Sequence, residues 1–511
     1  MPLRPLAAAA AFAAWMTGAG WAAADTYHVR ADGIDSDQRD GRTEATAWAS
    51  PAYALSRLPE APGLTLQLGP GRFLITETLQ LPDGLSLRGN GHEGDDATLL
   101  LADPGWPLGE DSLPRDNPPA EYLISAHRAG NLAVTDLVLA STPEHRITGA
   151  VHMRDIKGLE LARLHVHDFR WAGLHVTHSS EVRIHHNLIE RASMERHGWT
   201  NGLIRTTWIK NSQIHHNVIR SGGPEGYGYK GGGHENVRIH HNLIDAPYFA
   251  IESAHENEYG LEIDHNILHG CISVPKGGQS DDPNSRGFEF TVWIHHNLLT
   301  DSYTVEGPRN HLRLSHNWIR IERPNGRVYT HHGGNNRGPV WIHHNVVENL
   351  DRALVWMNEG LAEGIQVYNN TVIAAEAGDR AGSLFGSWSG ERMNGWVARN
   401  NVLVAPAEQP RQLVDAGRGV PDKVDLSHNL MHQLVDPPVS AGVVAAPEFD
   451  ANDDRGPWGR YRPRPGGNLD QTGADVGLPF HGRAPSIGAF EAGVDSWWNP
   501  QAVGPETPAG D

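Results

Sequence analysis

One short motif recurs through the middle of the chain and constrains the fold more than any other feature. The template is apolar-x-apolar-x-x-Asn-x-apolar, as in the segment from Val182 to Ile189. Its asparagines, 20 to 31 residues apart, are Asn187, Asn217, Asn242, Asn266, Asn297, Asn317, Asn345, Asn370, Asn401 and Asn429. Two earlier units carry leucine in the same slot, at Leu137 and Leu164, and the segment Leu85 to Asn90 resembles a first member. Self-similarity of this kind predicts a repeat architecture.

Each unit alternates apolar and polar residues, which predicts a short strand with one buried face. A single strand cannot bury that face, but stacked coils can, with a rise of about 4.8 Å per coil. The variable spacing disfavours a propeller, whose blades need about 40 residues each. The sequence therefore predicts an all-β fold, a single-stranded right-handed parallel β-helix. Leucine in the asparagine slot indicates that the slot faces inward, where stacked asparagines can hydrogen-bond from coil to coil.

The flanks of the chain differ from the repeats and predict caps. Residues 25–100 are expected to form an N-terminal cap and the first coil, with a helix near Pro51 to Leu58. Residues 101–440 are the predicted β-helix, in which the proline-rich stretch 102–120 reads as an inserted loop. Residues 441–511 are the expected C-terminal cap and tail. Caps cover the open ends of a solenoid, which otherwise expose sheet edges.

The first 24 residues predict export. Arg4 precedes an alanine-rich apolar stretch from Leu6 to Trp21, and Ala22 to Ala24 resemble a cleavage site. This pattern is typical of a signal peptide, so we expect a secreted or periplasmic protein without a membrane span after cleavage. Cys271 is the only cysteine, so the core alone must hold the fold. The net charge of -19 argues against nucleic acid as a partner.

The repeats, together with both ends of the chain, resemble the secreted β-helix proteins of the pectate lyase and chondroitinase B-like superfamily. The opening segment runs from Tyr27-His28-Val29 through Trp48-Ala49-Ser50-Pro51, and the closing one is Ser486-Ile487-Gly488-Ala489-Phe490-Glu491. The resemblance implies a carbohydrate-active enzyme with a polysaccharide substrate. The Asn-Lys-Ser signature expected of a chondroitinase B-like lyase is not found in the sequence, so the resemblance implies a fold rather than a reaction.

Residues nine to fourteen positions after each asparagine should stack on one wall of a regular solenoid. This stripe mixes aromatic, acidic and basic side chains with glycines, which predicts a groove that binds a glycan. The predicted catalytic residues are Lys230, Tyr229, Glu252, His255, Glu306 and Arg309. The predicted substrate-binding residues are Trp199, Tyr227, Lys276, Tyr329, His331, Trp356 and Glu359.

A polysaccharide lyase is the first function predicted for this groove. It removes the proton next to a uronate carboxylate, whose charge a cation must neutralise. Lys230, Lys276 and Arg309 are candidates for the cation, and a lysine crowded by other cations can act as the base. Tyr229 or His255 could return the proton to the leaving group.

A glycoside hydrolase is the alternative, with two carboxylates about 5 Å apart for retention or about 6.5–9.5 Å apart for inversion. Glu252, Glu306 and Glu359 are the candidates, and two coils between Glu252 and Glu306 predict roughly 10 Å. Either carboxylate could equally form a salt bridge with a base of the groove. A third possibility is a surface protein that binds glycans without cleaving them.

Metal sites are a separate question, and no cofactor follows with certainty. His185, His215, His240, His295 and His343 share one outward position in the repeat, with Asp264 and Ser315 in other coils. Their spacing is awkward for a single tetrahedral ion, so the array is interpreted as structural stacking. A calcium site made of Glu256, Glu258 and Asp264 is a further hypothesis.

Overall fold

The structure is a computed structural model that describes most of the chain. The described residues are 25–108, 121–194, 202–220, 226–253, 257–274, 283–302, 304–307, 311–331, 338–357, 362–376, 383–387, 393–406, 414–416, 424–434, 442–451 and 459–493. The predicted signal peptide at 1–24 lies outside them, as do most of the predicted loop at 102–120 and the end of the tail. Within the described part, no helix is long and apolar enough to cross a bilayer.

The predicted all-β parallel β-helix is confirmed, with 53% of residues in strands and about 10 turns of the solenoid. The described strands, numbered β1 to β41 in chain order, are Thr26–Val29, Thr65–Leu68, Gly71–Ile75, Leu79–Gln80, Ser86–Arg88, Thr98–Ala102, Tyr122–His127, Gly130–Ala140, Gly149–Arg154, Lys157–His167, Ala172–Thr177, Ser180–His185, Leu188–Glu190, Ile204–Thr207, Lys210–His215, Val218–Arg220, Tyr227–Gly232, Glu235–His240, Leu243–Ser253, Tyr259–Asp264, Ile267–Ser273, Val292–His295, Leu298–Ser302, Val305–Glu306, Leu312–Ser315, Trp318–Ile321, Arg327–His331, Val340–His343, Val346–Leu350, Ala353–Met357, Ala362–Glu363, Ile365–Tyr368, Thr371–Ala374, Ser383–Ser387, Met393–Asn394, Trp396–Arg399, Val402–Val404, Val414–Ala416, Val424–Ser427, Asn429–His432 and Gly442–Val444. A helix, α1, spans Pro51–Arg57, and 3-10 turns span Glu44–Thr46 and Pro283–Arg286. Ser50 caps α1 through its side chain, as the predicted helix near Pro51 requires.

Coil stacking gives three parallel series of paired strands. The first, here called the ladder face, contains β12, β15, β18, β20, β22, β25 and β28. A second series comes at or after the asparagines and contains β13, β16, the first parts of β19 and β21, β23, β26, β29, β33, β37 and β40. The third, here called the column face, contains β9, β11, β14, β17, β24, β27 and β30, with the last parts of β19 and β21.

The asparagine ladder is confirmed in detail, and Asn242 shows the pattern. Its side-chain amide donates to the carbonyls of Ile214 and His240 at 3.0 Å and to Oδ1 of Asn266 at 3.0 Å. Its own Oδ1 accepts from the backbone and side-chain amides of Asn217. The same inter-coil bonds run from Asn187 to Asn429. Each buried amide is thereby satisfied inside the solenoid, which explains why asparagine recurs in this slot from Asn187 onwards.

The residue before each asparagine explains the histidine of the signature. His186, His216 and His241 have φ between 54° and 56°, and this left-handed residue turns the chain from the ladder face to the next. Histidine and asparagine tolerate this conformation better than most residues.

Asn90 departs from the prediction that Leu85 to Asn90 form a first member of the repeat. The strand before it, β5, pairs in register with β8 of the next coil, but the side chain of Asn90 is exposed and donates to the carbonyl of Asp96.

Candidate functional site

Strand register places four of the predicted groove residues, Lys230, Glu252, Glu306 and Trp356, in one line on the outer side of the column face. Lys230 lies opposite Glu252, and Glu252 is followed by Ser273 and Glu306. We call the whole line the outer column, and its members are His152, His175, Arg205, Lys230, Glu252, Ser273, Glu306, Thr330 and Trp356. Adjacent members are one strand spacing apart, about 4.8 Å.

Lys230 and Glu252 form the centre of the outer column. The Lys230 ammonium donates directly to the Glu252 carboxylate, and the two side chains are 0% and 3% exposed. The ammonium also lies 4.0 Å from the centre of the Tyr227 ring, which is a cation–π contact. Burial lowers the pKa of Lys230, although the facing carboxylate opposes the shift. Burial likewise raises the pKa of Glu252, and the charge of Glu306 raises it further.

Charged groups lie on both sides of this pair. Arg205 is one coil before Lys230, and its guanidinium lies 5.4 Å from the Trp171 ring. Glu306 is two coils after Glu252, so their Cα atoms are roughly 10 Å apart by strand spacing, as predicted. Ser273, between them, donates its hydroxyl to Glu306 at 2.8 Å. The column thus runs from cation to anion along the solenoid axis.

Two histidines continue the outer column before Arg205. The rings of Tyr122, His152 and His175 stack at 5.1 and 4.9 Å, and the Tyr122 hydroxyl is 3.3 Å from Nδ1 of His175. Burial lowers the pKa of His152 to about 4 and that of His175 well below its ordinary value. Both imidazoles are therefore neutral at pH 7 and can accept or donate a hydrogen bond.

Two predicted tyrosines are wrong as groove residues, because they face the interior. Tyr229 stacks in register between Ile204 and Ile251, and Tyr329 lies between Val305 and Val355. Both are 0% exposed. A Cβ at Gly228 would meet Ile244 and Ala246 in the core, so Gly228 and Tyr229 both face the interior and simple alternation fails there.

The Tyr229 hydroxyl belongs to a buried polar network inside the solenoid. It contacts Thr206 and lies 2.9 Å from Nε2 of His234, whose Nδ1 is 2.8 Å from the Glu258 carboxylate. Ser253 donates to the same carboxylate. All five side chains are 0% exposed, so the network satisfies its own polar groups and supports the backbone beneath Lys230.

The remaining predictions fall on less accessible or undescribed positions. Tyr227 packs on the outer side against Phe249, and Trp356 belongs to the outer column but is only 2% exposed beneath Arg352. Trp199, His255, Lys276, Arg309 and Glu359 lie outside the described residues, and the side chain of His331 does as well.

Sequence reasoning missed His152, His175 and Arg205, although a pattern points to them. The distance to the next asparagine slot is the same, twelve residues, for His152, His175, Arg205 and Lys230. The segment that precedes each slot has a constant length there, whereas the segment that follows it contains the variable loops. Counting forwards from the asparagine therefore shifted the predicted stripe.

The histidine array forms two stacked ladders, as predicted for structural stacking. His186, His216 and His241 stack at 5.0 Å, and His185, His215 and His240 stack beside them at 4.9 Å. Within each pair, the Nδ1 atoms are 2.8 to 2.9 Å apart, so one ring donates and the other accepts.

The calcium hypothesis is not supported by the described residues. Glu258 binds His234, while Asp264 lies at the far end of β20 and accepts from Arg238 and His265. Six residues of extended strand separate the two carboxylates, roughly 20 Å. Glu256 lies outside the described residues.

Two other clusters of described residues have ligand atoms close enough to hold an ion. The first consists of Glu262, Asp264 and His295, and the second of His316, His343 and His344. In both, an arginine already binds a would-be ligand.

Comparison with known proteins identifies no relative by sequence. No family model matches the chain, and no curated protein matches it. Solved structures resemble it weakly. DFA-IIIase from Arthrobacter chlorophenolicus A6 without its lid is 12% identical with a TM-score of 0.45, over 67% of this chain and 94% of that one. PfbA, a surface adhesin of Streptococcus pneumoniae, is 11% identical with a TM-score of 0.44, over 62% and 86%. Pectate lyase Pel9A is 12% identical with a TM-score of 0.30, over 93% and 98%. At these values the similarities say nothing about the activity of this chain.

Proposed function

We propose that this chain is an exported carbohydrate-active enzyme that cleaves a uronate-containing polysaccharide by β-elimination at the outer column. The observation that carries the proposal is the buried Lys230–Glu252 pair with Arg205 one coil away. Strongly perturbed titratable groups that meet on one surface are typical of catalytic sites. Export rests on the predicted signal peptide at 1–24.

Arg205 and Lys230 supply the two functions that a lyase needs. The Arg205 guanidinium is always charged, and in the proposed complex it neutralises the uronate carboxylate. This makes the neighbouring C5 proton more acidic. Lys230 is one strand spacing away, about 4.8 Å, which suits a base acting on the same sugar ring. Its lowered pKa favours the free amine that must accept the proton.

Glu252 completes the proton transfer. When the shared proton lies on Glu252, the Lys230 amine takes the C5 proton, and the C5–H electrons form the C4–C5 double bond as the C4–O bond breaks. The leaving oxygen takes the proton of Glu252. The pair is left as ammonium and carboxylate, and one proton crossing their hydrogen bond restores the initial form. Tyr227 covers Lys230, so its ring must rotate away when the glycan binds.

A glycoside hydrolase is the second candidate, and it is favoured by the raised pKa of Glu252. A carboxyl that holds its proton can act as the general acid, and Glu306 two coils away could activate water. Inversion needs carboxyl groups about 6.5–9.5 Å apart, and Cα atoms roughly 10 Å apart allow the two side chains to reach that separation.

A product assay separates these possibilities. The purified mature protein is incubated with polygalacturonate, alginate, chondroitin and neutral glycans, and ultraviolet absorbance of unsaturated uronates is followed together with reducing ends. Absorbance that rises with reducing ends supports the lyase. Reducing ends alone support the hydrolase, and the absence of both over the whole panel contradicts cleavage and leaves a glycan-binding surface protein.

A further inference from the structure

Two aromatic side chains are strongly exposed in the described part of the chain, and they flank the outer column on opposite sides. Trp208 is 42% exposed and Tyr248 is 39% exposed. Trp208 follows β14, beyond Arg205, while Tyr248 lies on the other side, before Glu252 in β19. Exposed aromatic rings offer flat apolar faces that can stack on the apolar face of a sugar.

The surroundings of Trp208 leave part of its indole accessible. Trp208 adopts φ 51°, a conformation that costs energy for a bulky residue. In the coil before it, the His178 ring lies 4.5 Å away. In the coil after it the turn position is Gly233, where even a Cβ would come within 2.5 Å of the indole. Any larger residue at Gly233 would therefore displace the indole.

Polar groups suited to a sugar lie between Trp208 and the outer column. Thr207 donates its hydroxyl to Thr177 at 2.9 Å. Thr177 lies in register between Thr207 and Arg154, so the three residues form a line across three coils. These residues are two positions beyond the outer column on the same strands, about 6.6 Å from it. Hydroxyls and a cation beside an aromatic ring match an acidic sugar.

Tyr248 is held on the opposite side by two other rings. Its ring is perpendicular to that of Tyr227 at 5.8 Å and to that of Phe249 at 4.5 Å. Tyr227 in turn contacts the Lys230 ammonium. Tyr248 is therefore linked by direct contacts to the centre of the proposed site while its own ring remains exposed.

We infer that Trp208 and Tyr248 are two sugar-stacking platforms, and that an acidic glycan crosses the coils between them over the Lys230–Glu252 pair. The glycan then runs mainly along the strands, with a shift of two coils between Trp208 and Tyr248, instead of along the solenoid axis. This inference rests on the proposed function, because it places the same substrate on the same centre. It adds the direction of the glycan and two residues that set its affinity.

The test compares Trp208→Ala, Trp208→Phe and Tyr248→Ala with the wild type. Trp341→Ala, which removes a half-buried tryptophan from the ladder face, is the matched control. Isothermal titration measures Kd for oligogalacturonate, oligoalginate and chondroitin oligosaccharides that the wild type does not cleave further, and thermal unfolding verifies the fold. Each alanine variant is expected to bind about tenfold more weakly, the equivalent of about 1.4 kcal/mol. Trp208→Phe should retain most of the affinity, and Trp341→Ala all of it.

The inference is overturned if either alanine variant binds like the wild type, or if the wild type binds no oligosaccharide of the panel. It can fail independently of the proposed function. If both variants cleave with unchanged KM, cleavage stands and the platforms do not. If both weaken binding but no glycan yields product, the platforms stand and the enzymatic proposal does not.

Discussion

The ladder face and the column face are built from the same coils, yet they differ in what repeats. On the ladder face, several successive coils carry the same residue, so His215 stacks on His240 and Asn217 bonds to Asn242. On the column face, Arg205, Lys230 and Glu252 follow one another without repetition. A residue that repeats bonds to or stacks on its copy in the next coil, whereas unlike residues in successive coils bring opposite charges together, as in the Lys230–Glu252 pair. The comparison associates the first face with stability, and the proposed chemistry lies on the second.

The largest effect on stability is expected inside the ladder. Asn242→Ala removes the amide that bonds to two carbonyls and to Asn266, and it deprives Asn217 of its acceptor. Several buried polar groups then lack partners, at a total cost of about 5 kcal/mol. Urea unfolding monitored by circular dichroism measures the loss. An unchanged midpoint would show that the ladder does not hold the coils together.

The substitution Lys230→Met on the column face is expected to cause a slightly smaller loss in the free energy of unfolding. The substitution leaves Glu252 buried without its counter-charge, which costs about 4 kcal/mol in comparable pairs. Adding Glu252→Met should recover most of this loss, because an apolar pair of similar volume needs no solvation. The same urea experiment provides the measurement. A double variant as unstable as the single one would contradict the pairing.

The ladder face should also make the protein sensitive to acid. Burial lowers the pKa of His240 to about 3 and of His241 to about 4, below the value of about 6.5 in an unfolded chain. Stability is then complete above about pH 6.5 and falls with decreasing pH, because only the unfolded chain takes up these protons. Each such histidine contributes a slope of up to about 1.4 kcal/mol per pH unit. Unfolding free energies at pH 7, 6 and 5 measure it, and a flat profile would contradict the buried neutral ladder.

The smallest effect is expected from an exposed pair on the ladder face. Lys210 donates to Glu235 at 3.0 Å, but the two side chains are 54% and 33% exposed. Lys210→Ala should change stability by less than about 1 kcal/mol. A larger loss in the same denaturation assay would mean that charge, and not stacking, stabilises this face.

The ladder could be predicted from sequence because its chemistry is local and repeated. An inward amide needs partners in the next coil, so Asn217 implies Asn242 and the interval between them is immaterial. The prediction for the column face was partial. Lys230, Glu252 and Glu306 share the predicted wall, but Tyr229 was placed on the wrong side because Gly228 and Tyr229 both face the interior. Arg205 was missed because variable loops follow each asparagine, while the constant segment precedes the next one.

The central claim is that chemistry resides in the Lys230–Glu252 pair, and the variant carrying both Lys230→Met and Glu252→Met tests it most directly. The measurement is the initial rate of product formation on the glycan that the wild type cleaves, at a temperature where circular dichroism shows both proteins folded. We predict a rate at least about 10³-fold lower, the usual contribution of general acid–base groups. A folded double variant that retains the wild-type rate would contradict the account, because the pair would then only stabilise the coil.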